Sequence, residues 1–151
     1  MLLFRTDRQK ETVALGRRLG EKLTGGEVIT LSGPLGSGKT SFVKGVGSAL
    51  DILSDHISSP TFILRGDHRG KFPLAHVDLY RLEDPAEAGT LGLFEQEERL
   101  TILVIEWPEK AKALLPPDRI DIEFIVEGEN KRKLCFTTVG NGYGNLLKEL
   151  K

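Results

Sequence analysis

The chain has 151 residues, the length of one domain, and its 39% hydrophobic and 28% charged residues fit a soluble globular protein, excluding a disordered or fibrous one. Lys and Arg number 21 against 22 Asp and Glu, a net charge of −1, which excludes a grip on nucleic acid through bulk electrostatics but allows a local basic patch. A single cysteine, Cys135, rules out an internal disulfide and any CxxC metal or redox pair. No apolar run approaches the roughly 18–20 residues of a membrane span. Met1 to Arg5 is too short for a signal peptide's apolar region of about 7–15 residues, so the expected location is cytoplasmic.

Leu2 to Arg5 reads as a short strand. Thr6 or Asp7 can cap a helix running to about Leu23, with Val13, Ala14, Leu15 and Leu19 on its apolar face. Gly25-Gly26 turns the chain into Val28 to Leu31, a buried-strand pattern. A glycine-rich loop, Gly33 to Gly38, leads into a helix from Lys39 to about Leu50. Ser59 to Leu64 reads as a loop entering a strand, Gly66 to Gly70 as a polar turn, and Phe72 to Val77 as the returning strand of a hairpin. Asp84-Pro85-Ala86-Glu87 opens a short helical region with Leu91, Leu93, Phe94 and Leu100 as apolar anchors. Ile102 to Ile105 is the pattern of a fully buried strand. Pro108 to Leu115 predicts a short helix, Arg119 to Val126 and Lys133 to Val139 two late strands, and Leu146 to Leu150 a final helix. No linker divides these elements. The expected fold is α/β, a single P-loop NTPase-type domain over residues 1–151, its mixed β-sheet flanked by helices.

Gly33-Pro34-Leu35-Gly36-Ser37-Gly38-Lys39-Thr40 matches G-x-x-x-x-G-K-[ST] at every specified position, with a buried strand before it and a helix after it. Gly33, Gly36 and Gly38 let backbone N–H groups converge on phosphate oxygens without Cβ obstruction. The following helix, from Lys39 through Ser41, directs its positive end at them. Lys39 is the residue for the β- and γ-phosphates and the Thr40 hydroxyl the one for Mg²⁺. The metal also needs a carboxylate at the end of a neighbouring buried strand. Asp78 and Glu106 both end such strands. The strand of Glu106 is the more apolar, which makes Glu106 the metal-side candidate. Asp78 is a second metal-shell or water-orienting group. Thr61, between the phosphate helix and the next strand, has the chemistry of a γ-phosphate sensor.

A guanine reader N-K-x-D is missing, because Asn130-Lys131-Arg132-Lys133 lacks the final Asp, and a D-x-x-G switch is missing too, so ATP is favoured over GTP. A small-molecule kinase competes, but Arg65, Arg69, Arg81 and Arg99 are scattered in sequence and no arginine-rich lid is evident. A nucleotide-gated binding module without hydrolysis is the third reading.

Gly33 through Phe42, Ser59-Pro60-Thr61-Phe62, His76-Val77-Asp78-Leu79-Tyr80-Arg81-Leu82 and Ile105-Glu106-Trp107-Pro108-Glu109 occur in the order seen in the TsaE family, the bacterial ATPases of tRNA threonylcarbamoyladenosine biosynthesis. The chain resembles that family over nearly its whole length, with only the terminal segments lacking a sharp match. The resemblance implies an ATPase that acts with the TsaB–TsaD heterodimer, which modifies adenosine 37 of tRNA, so that tRNA is an indirect partner. No arginine finger is evident in the sequence, so weak, partner-stimulated hydrolysis is expected. The resemblance implies that hydrolysis resets this assembly between turnovers. It also implies Thr40 and Glu106 as Mg²⁺ positions, Asp78 and Trp107 as positions needed for activity, and an adenine near the first helix and the late strands, where Thr12 and Arg132 are candidates.

Other residues carry blander readings. Cys135 sits in a strand pattern and reads as structural. His76 shares a strand face with Asp78 and reads as packed or hydrogen-bonded rather than metal-binding. Arg65, His68, Arg69 and Lys71 read as a solvated hairpin tip, with contact to tRNA or an acidic partner as the sharper alternative.

Overall fold

Near-continuous apolar runs such as Val28–Ser32 and Ile102–Glu106 are stable as strands when both faces are covered. The structure, a computed structural model describing residues 1–58, 60 and 63–151, places both runs in the middle of one mixed, seven-stranded sheet. In chain order the elements are β1 (Leu2–Thr6), α1 (Gln9–Lys22), β2 (Val28–Ser32), α2 (Lys39–Ala49), β3 (Arg65–His68), β4 (Leu74–Asp78), α3 (Ala86–Thr90), β5 (Ile102–Glu106), β6 (Arg119–Val126), β7 (Arg132–Val139) and α4 (Gly144–Leu150). Short 3₁₀ turns cover Ser54–His56 and Pro108–Leu114. The sheet order is β1-β7-β6-β2-β5-β4-β3. The inner strands β6, β2, β5 and β4 run parallel, and the outer pairs β1–β7, β7–β6 and β4–β3 are antiparallel.

Two cores cover the two faces. One joins Leu15 and Leu19 of α1 and Phe42, Val43 and Val46 of α2 to Ile29, Leu31, Val104 and Ile122 of the sheet. The other packs Ala88 of α3 and Ala111 against Val28, Val77, Leu103 and Ile105. The helices of the first core lie close together because glycines face the partner's backbone. A Cβ at Gly16 would stand 2.2 Å from the Phe42 carbonyl oxygen, and one at Gly45 would stand 2.0 Å from that of Val13.

Several boundaries differ from the sequence expectation. Thr6 does not cap α1. It is the last residue of β1, paired with Arg132, and its hydroxyl meets that of Thr12 at 2.9 Å. The cap position is Arg8, without a side-chain bond, while Glu11 reaches back to accept from the Asp7 amide at 2.6 Å. The first strand of the hairpin lies later than expected and includes Gly66, because Leu64 turns with φ +65° before pairing begins at Arg65 opposite Val77. The helical region after Pro85 is only α3. Gly92, at φ +62°, closes it, and Leu91 and Leu100 are exposed rather than anchoring, whereas Leu93 is buried. The Pro108 segment is a 3₁₀ turn broken at Ala111. The expectation for Thr61 lies outside the described residues.

Candidate functional site

The carboxyl ends of β2, β5 and β4 lie side by side, since Leu31 pairs with Glu106 and Asp78 pairs with Glu106. This edge of a parallel sheet is where α/β proteins place ligands. Between β2 and α2 the chain must turn tightly while passing β6. A Cβ at Gly33 would lie 2.7 Å from the Phe124 carbonyl oxygen, so only glycine lets the loop leave there. Gly36 and Gly38 take φ +74° and +102°, the left-handed region that favours glycine. Gly38 is the cap of α2, whose first turn carries no acidic residue to offset its positive end.

Lys39 is buried at 6% exposure. Its ammonium donates to the carbonyls of Gly33 at 2.5 Å and Pro34 at 3.0 Å, and it lies 4.4 Å from the centre of the Trp107 ring. Burial pushes its pKa below the usual lysine value, and the nearby charges of Glu106, Asp78 and Glu109 act in the opposite direction.

Asp78 and Glu106 are both buried. An Asp78 oxygen accepts the Tyr80 amide at 2.9 Å. A Glu106 oxygen meets Nε2 of His76 at 2.5 Å, and His76 is fully buried. His76 therefore orients a carboxylate, and its Nδ1 has no hydrogen-bond partner among the described residues. Trp107 follows Glu106 directly, with φ 58° and ψ 50°. A non-glycine residue held there stores about 1–3 kcal/mol of strain, a cost met where the surroundings fix it. Here its amide donates to Leu31 at 3.1 Å and its ring packs on Tyr80 with centroids 5.0 Å apart.

These groups surround a cleft of about 510 Å³. Among the residues singled out from sequence, Thr12, Gly36, Ser37, Gly38, Lys39, Thr40, Ser41, Asp78, Glu106, Trp107 and Arg132 line it. Gly33 stands behind, contributing its carbonyl to Lys39. Sequence reasoning missed Gln9, Leu35, Tyr80 and Asn130, which also line the cleft. Gln9 donates its side-chain amide to the Ser41 hydroxyl at 3.0 Å. Tyr80 lay inside a motif already noticed, two residues past Asp78, and so had a signal. Gln9 and Asn130 had none, because their place depends on tertiary packing.

Arg132 enters from the other end of the chain. Its Nε donates to the Ser37 carbonyl at 3.0 Å and Nη2 to that of Gly36 at 3.1 Å, while Nη1 faces the carbonyls of Gly128, Glu129 and Lys131. In the β3 hairpin, Arg65 pairs with Asp67 at 2.9 Å and Arg69 with Glu98 at 2.5 Å, so acidic neighbours offset these two guanidinium charges.

Among the described residues no group of three or more His, Cys, Asp or Glu side chains is arranged to hold a metal by itself. Mg²⁺ is commonly bound through one or two carboxylates together with substrate phosphates. Thr40 and Glu106, a hydroxyl and an oriented buried carboxylate on one cleft, are oxygen donors of that kind.

Comparisons with known proteins identify the family. Residues 6–134 match the family described as threonylcarbamoyl adenosine biosynthesis protein TsaE. The chain belongs to the TsaE family. Among curated relatives, the tRNA threonylcarbamoyladenosine biosynthesis protein TsaE of Bacillus subtilis is 38% identical over 150 residues, covering 99% of this chain and 93% of its own. The TsaE of Nostoc sp. is 45% identical over 113 residues, covering 72% of this chain and 68% of its own. A crystal structure of Bacillus subtilis YdiB superposes with a TM-score of 0.80 at 32% identity, covering 99% of this chain and 93% of that one. No helix among the described residues is long and apolar enough to cross a membrane.

Proposed function

We propose that the protein is a cytoplasmic, Mg²⁺-dependent ATPase of tRNA threonylcarbamoyladenosine biosynthesis. It acts as a single domain on the TsaB–TsaD heterodimer, supporting modification of adenosine 37, and meets tRNA indirectly. The observation that carries this reading is the convergence of Lys39, Thr40, Asp78 and Glu106 on one cleft at the mouth of a glycine loop. ATP is preferred because the chain lacks the N-K-x-D guanine reader.

In this reading the loop amides and the α2 N-terminus bind the phosphates. Lys39 exchanges its carbonyl partners for β- and γ-phosphate oxygens. Thr40 and Glu106 would hold Mg²⁺, which would supply neutralisation of phosphate charge. Asp78 or Glu106 accepts a hydrogen bond from the attacking water and aims it at the γ-phosphorus, releasing ADP and phosphate. Trp107 and Tyr80 wall the cleft on the side of these carboxylates. Arg132 is the one arginine lining the cleft among the described residues, and it donates to loop carbonyls. Among the described residues no arginine is thus placed to neutralise the transferring group, and hydrolysis by the isolated protein is slow until a partner completes the site. Arg65, Arg69, Arg81 and Arg99 do not line the cleft, which counts against the kinase reading.

The test is ATP hydrolysis with Mg²⁺, with and without the TsaB–TsaD pair, using Lys39→Ala as control. Stimulation by the pair that the control loses supports the proposal. ATP binding without stimulation favours a nucleotide-gated module, in which Glu106→Ala keeps function. Phosphate transfer to a metabolite favours a kinase.

A further inference from the structure

We infer that Arg132 is a positioning residue for the phosphate loop: its guanidinium fixes the direction of the Gly38 amide, and so makes phosphate affinity depend on the β6–β7 turn. The inference rests on the nucleotide reading of the cleft and adds to it that Arg132 acts on phosphate affinity through the loop backbone.

Lys39 ties the start of the loop through Gly33 and Pro34, but the stretch from Gly36 to Gly38 has little side-chain support of its own. Gly36 and Gly38 lie in the left-handed region, where the backbone is least restrained by side chains. Ser37 between them is 1% exposed, and its hydroxyl has no hydrogen-bond partner among the described residues, so its side chain gives no polar anchor. The polar tie on this stretch comes from Arg132, through the Ser37 and Gly36 carbonyls at 3.0 and 3.1 Å. Among the described residues no peptide bond is cis, and in a trans peptide C=O and N–H point to opposite edges of one plane. Holding the Ser37 carbonyl toward Arg132 therefore aims the Gly38 amide away from Arg132. Holding the Gly36 carbonyl likewise sets the Ser37 amide, which donates to Pro34 at 3.2 Å and closes the turn.

The same guanidinium grips the β6–β7 turn. Nη1 faces the carbonyls of Gly128, Glu129 and Lys131 at 3.0 to 3.1 Å, and that turn also places Asn130 on the cleft. A planar fork makes these bonds in two directions at once, which a lysine ammonium on a flexible stem does not reproduce. Lysine does keep the positive charge. The pair Arg132→Lys and Arg132→Gln therefore separates geometry from electrostatic attraction.

The experiment measures binding of AMP and ADP to the full chain by calorimetry, with thermal melting of each nucleotide-free variant alongside. Both variants are expected to lose roughly tenfold or more in ADP affinity, the scale of one charge-assisted hydrogen bond, and less for AMP. Wild-type affinity in Arg132→Lys overturns the inference, because charge alone then suffices. Lower melting temperatures with unchanged ADP affinity overturn it too, because the residue is then merely structural. A measurement on the wild type needs no folded variant: the Arg132 Nε–H resonance is expected to stay protected from exchange when ADP binds. Loss of that protection means that Arg132 leaves the loop for the nucleotide, which overturns the inference. A wild type that binds no adenine nucleotide overturns the proposed function as well, and is recognised before any variant is made.

Discussion

Lys39 holds two carbonyls of its own loop, and burial pushes its pKa down. Between that depressed folded value and the ordinary lysine value of 10.5, the unfolded chain binds more protons than the folded one. The contribution of this group to stability therefore rises with pH across that window. A bound phosphate stabilises the ammonium and raises its pKa again. Nucleotide binding in alkaline buffer is thus expected to take up protons, seen as a calorimetric enthalpy that depends on the buffer's own ionisation enthalpy. Lys39→Ala is expected to abolish both the uptake and the binding. At the second strand end, His76→Leu removes the hydrogen bond that orients the Glu106 carboxylate. An unsatisfied buried acceptor costs about 1–3 kcal/mol, so the variant should melt earlier. It should also need more Mg²⁺ for half-maximal hydrolysis, checked by a metal titration.

Between elements, α1 and α2 meet through glycine. A Cβ at residue 16 or 45 would overlap a backbone carbonyl, and such atoms cannot swing aside as a side-chain tip can. Gly16→Ala gains about 1 kcal/mol of helix preference, but overpacking costs about 1–3 kcal/mol. The net result is expected to be destabilising in urea denaturation. Because α1 carries Gln9 and Thr12 into the cleft, ADP affinity should fall with it. Elements whose own residues dictate their shape were legible beforehand: the apolar runs of β2 and β5, and the glycine loop between β2 and α2. Those set by remote partners were not. β3 contains a glycine and is a strand because β4 pairs with it, and α3 stops where Gly92 turns left-handed, before the apolar residues that suggested a longer helix. In the cleft, the loop and its carboxylates were readable because their chemistry restricts residue type. The link from Arg132 to loop carbonyls was not, since any backbone offers carbonyls.

At the scale of the molecule, the parallel register brings three strand ends together although Ser32, Asp78 and Glu106 are far apart in the chain. On the proposed function, slow intrinsic hydrolysis is the expected outcome, because among the described residues the one arginine lining the cleft is bonded to loop carbonyls. Addition of the heterodimer is expected to raise turnover without changing the protein's dependence on Lys39. The central position of β2 has a further effect while the chain is being made. Its two neighbours come from residues 102–106 and 119–126, and its loop is tied by residue 132. A nascent chain therefore displays the complete phosphate-binding motif long before it owns a pocket. On the proposed function, capture of ATP is therefore expected only after the last hairpin has cleared the ribosome.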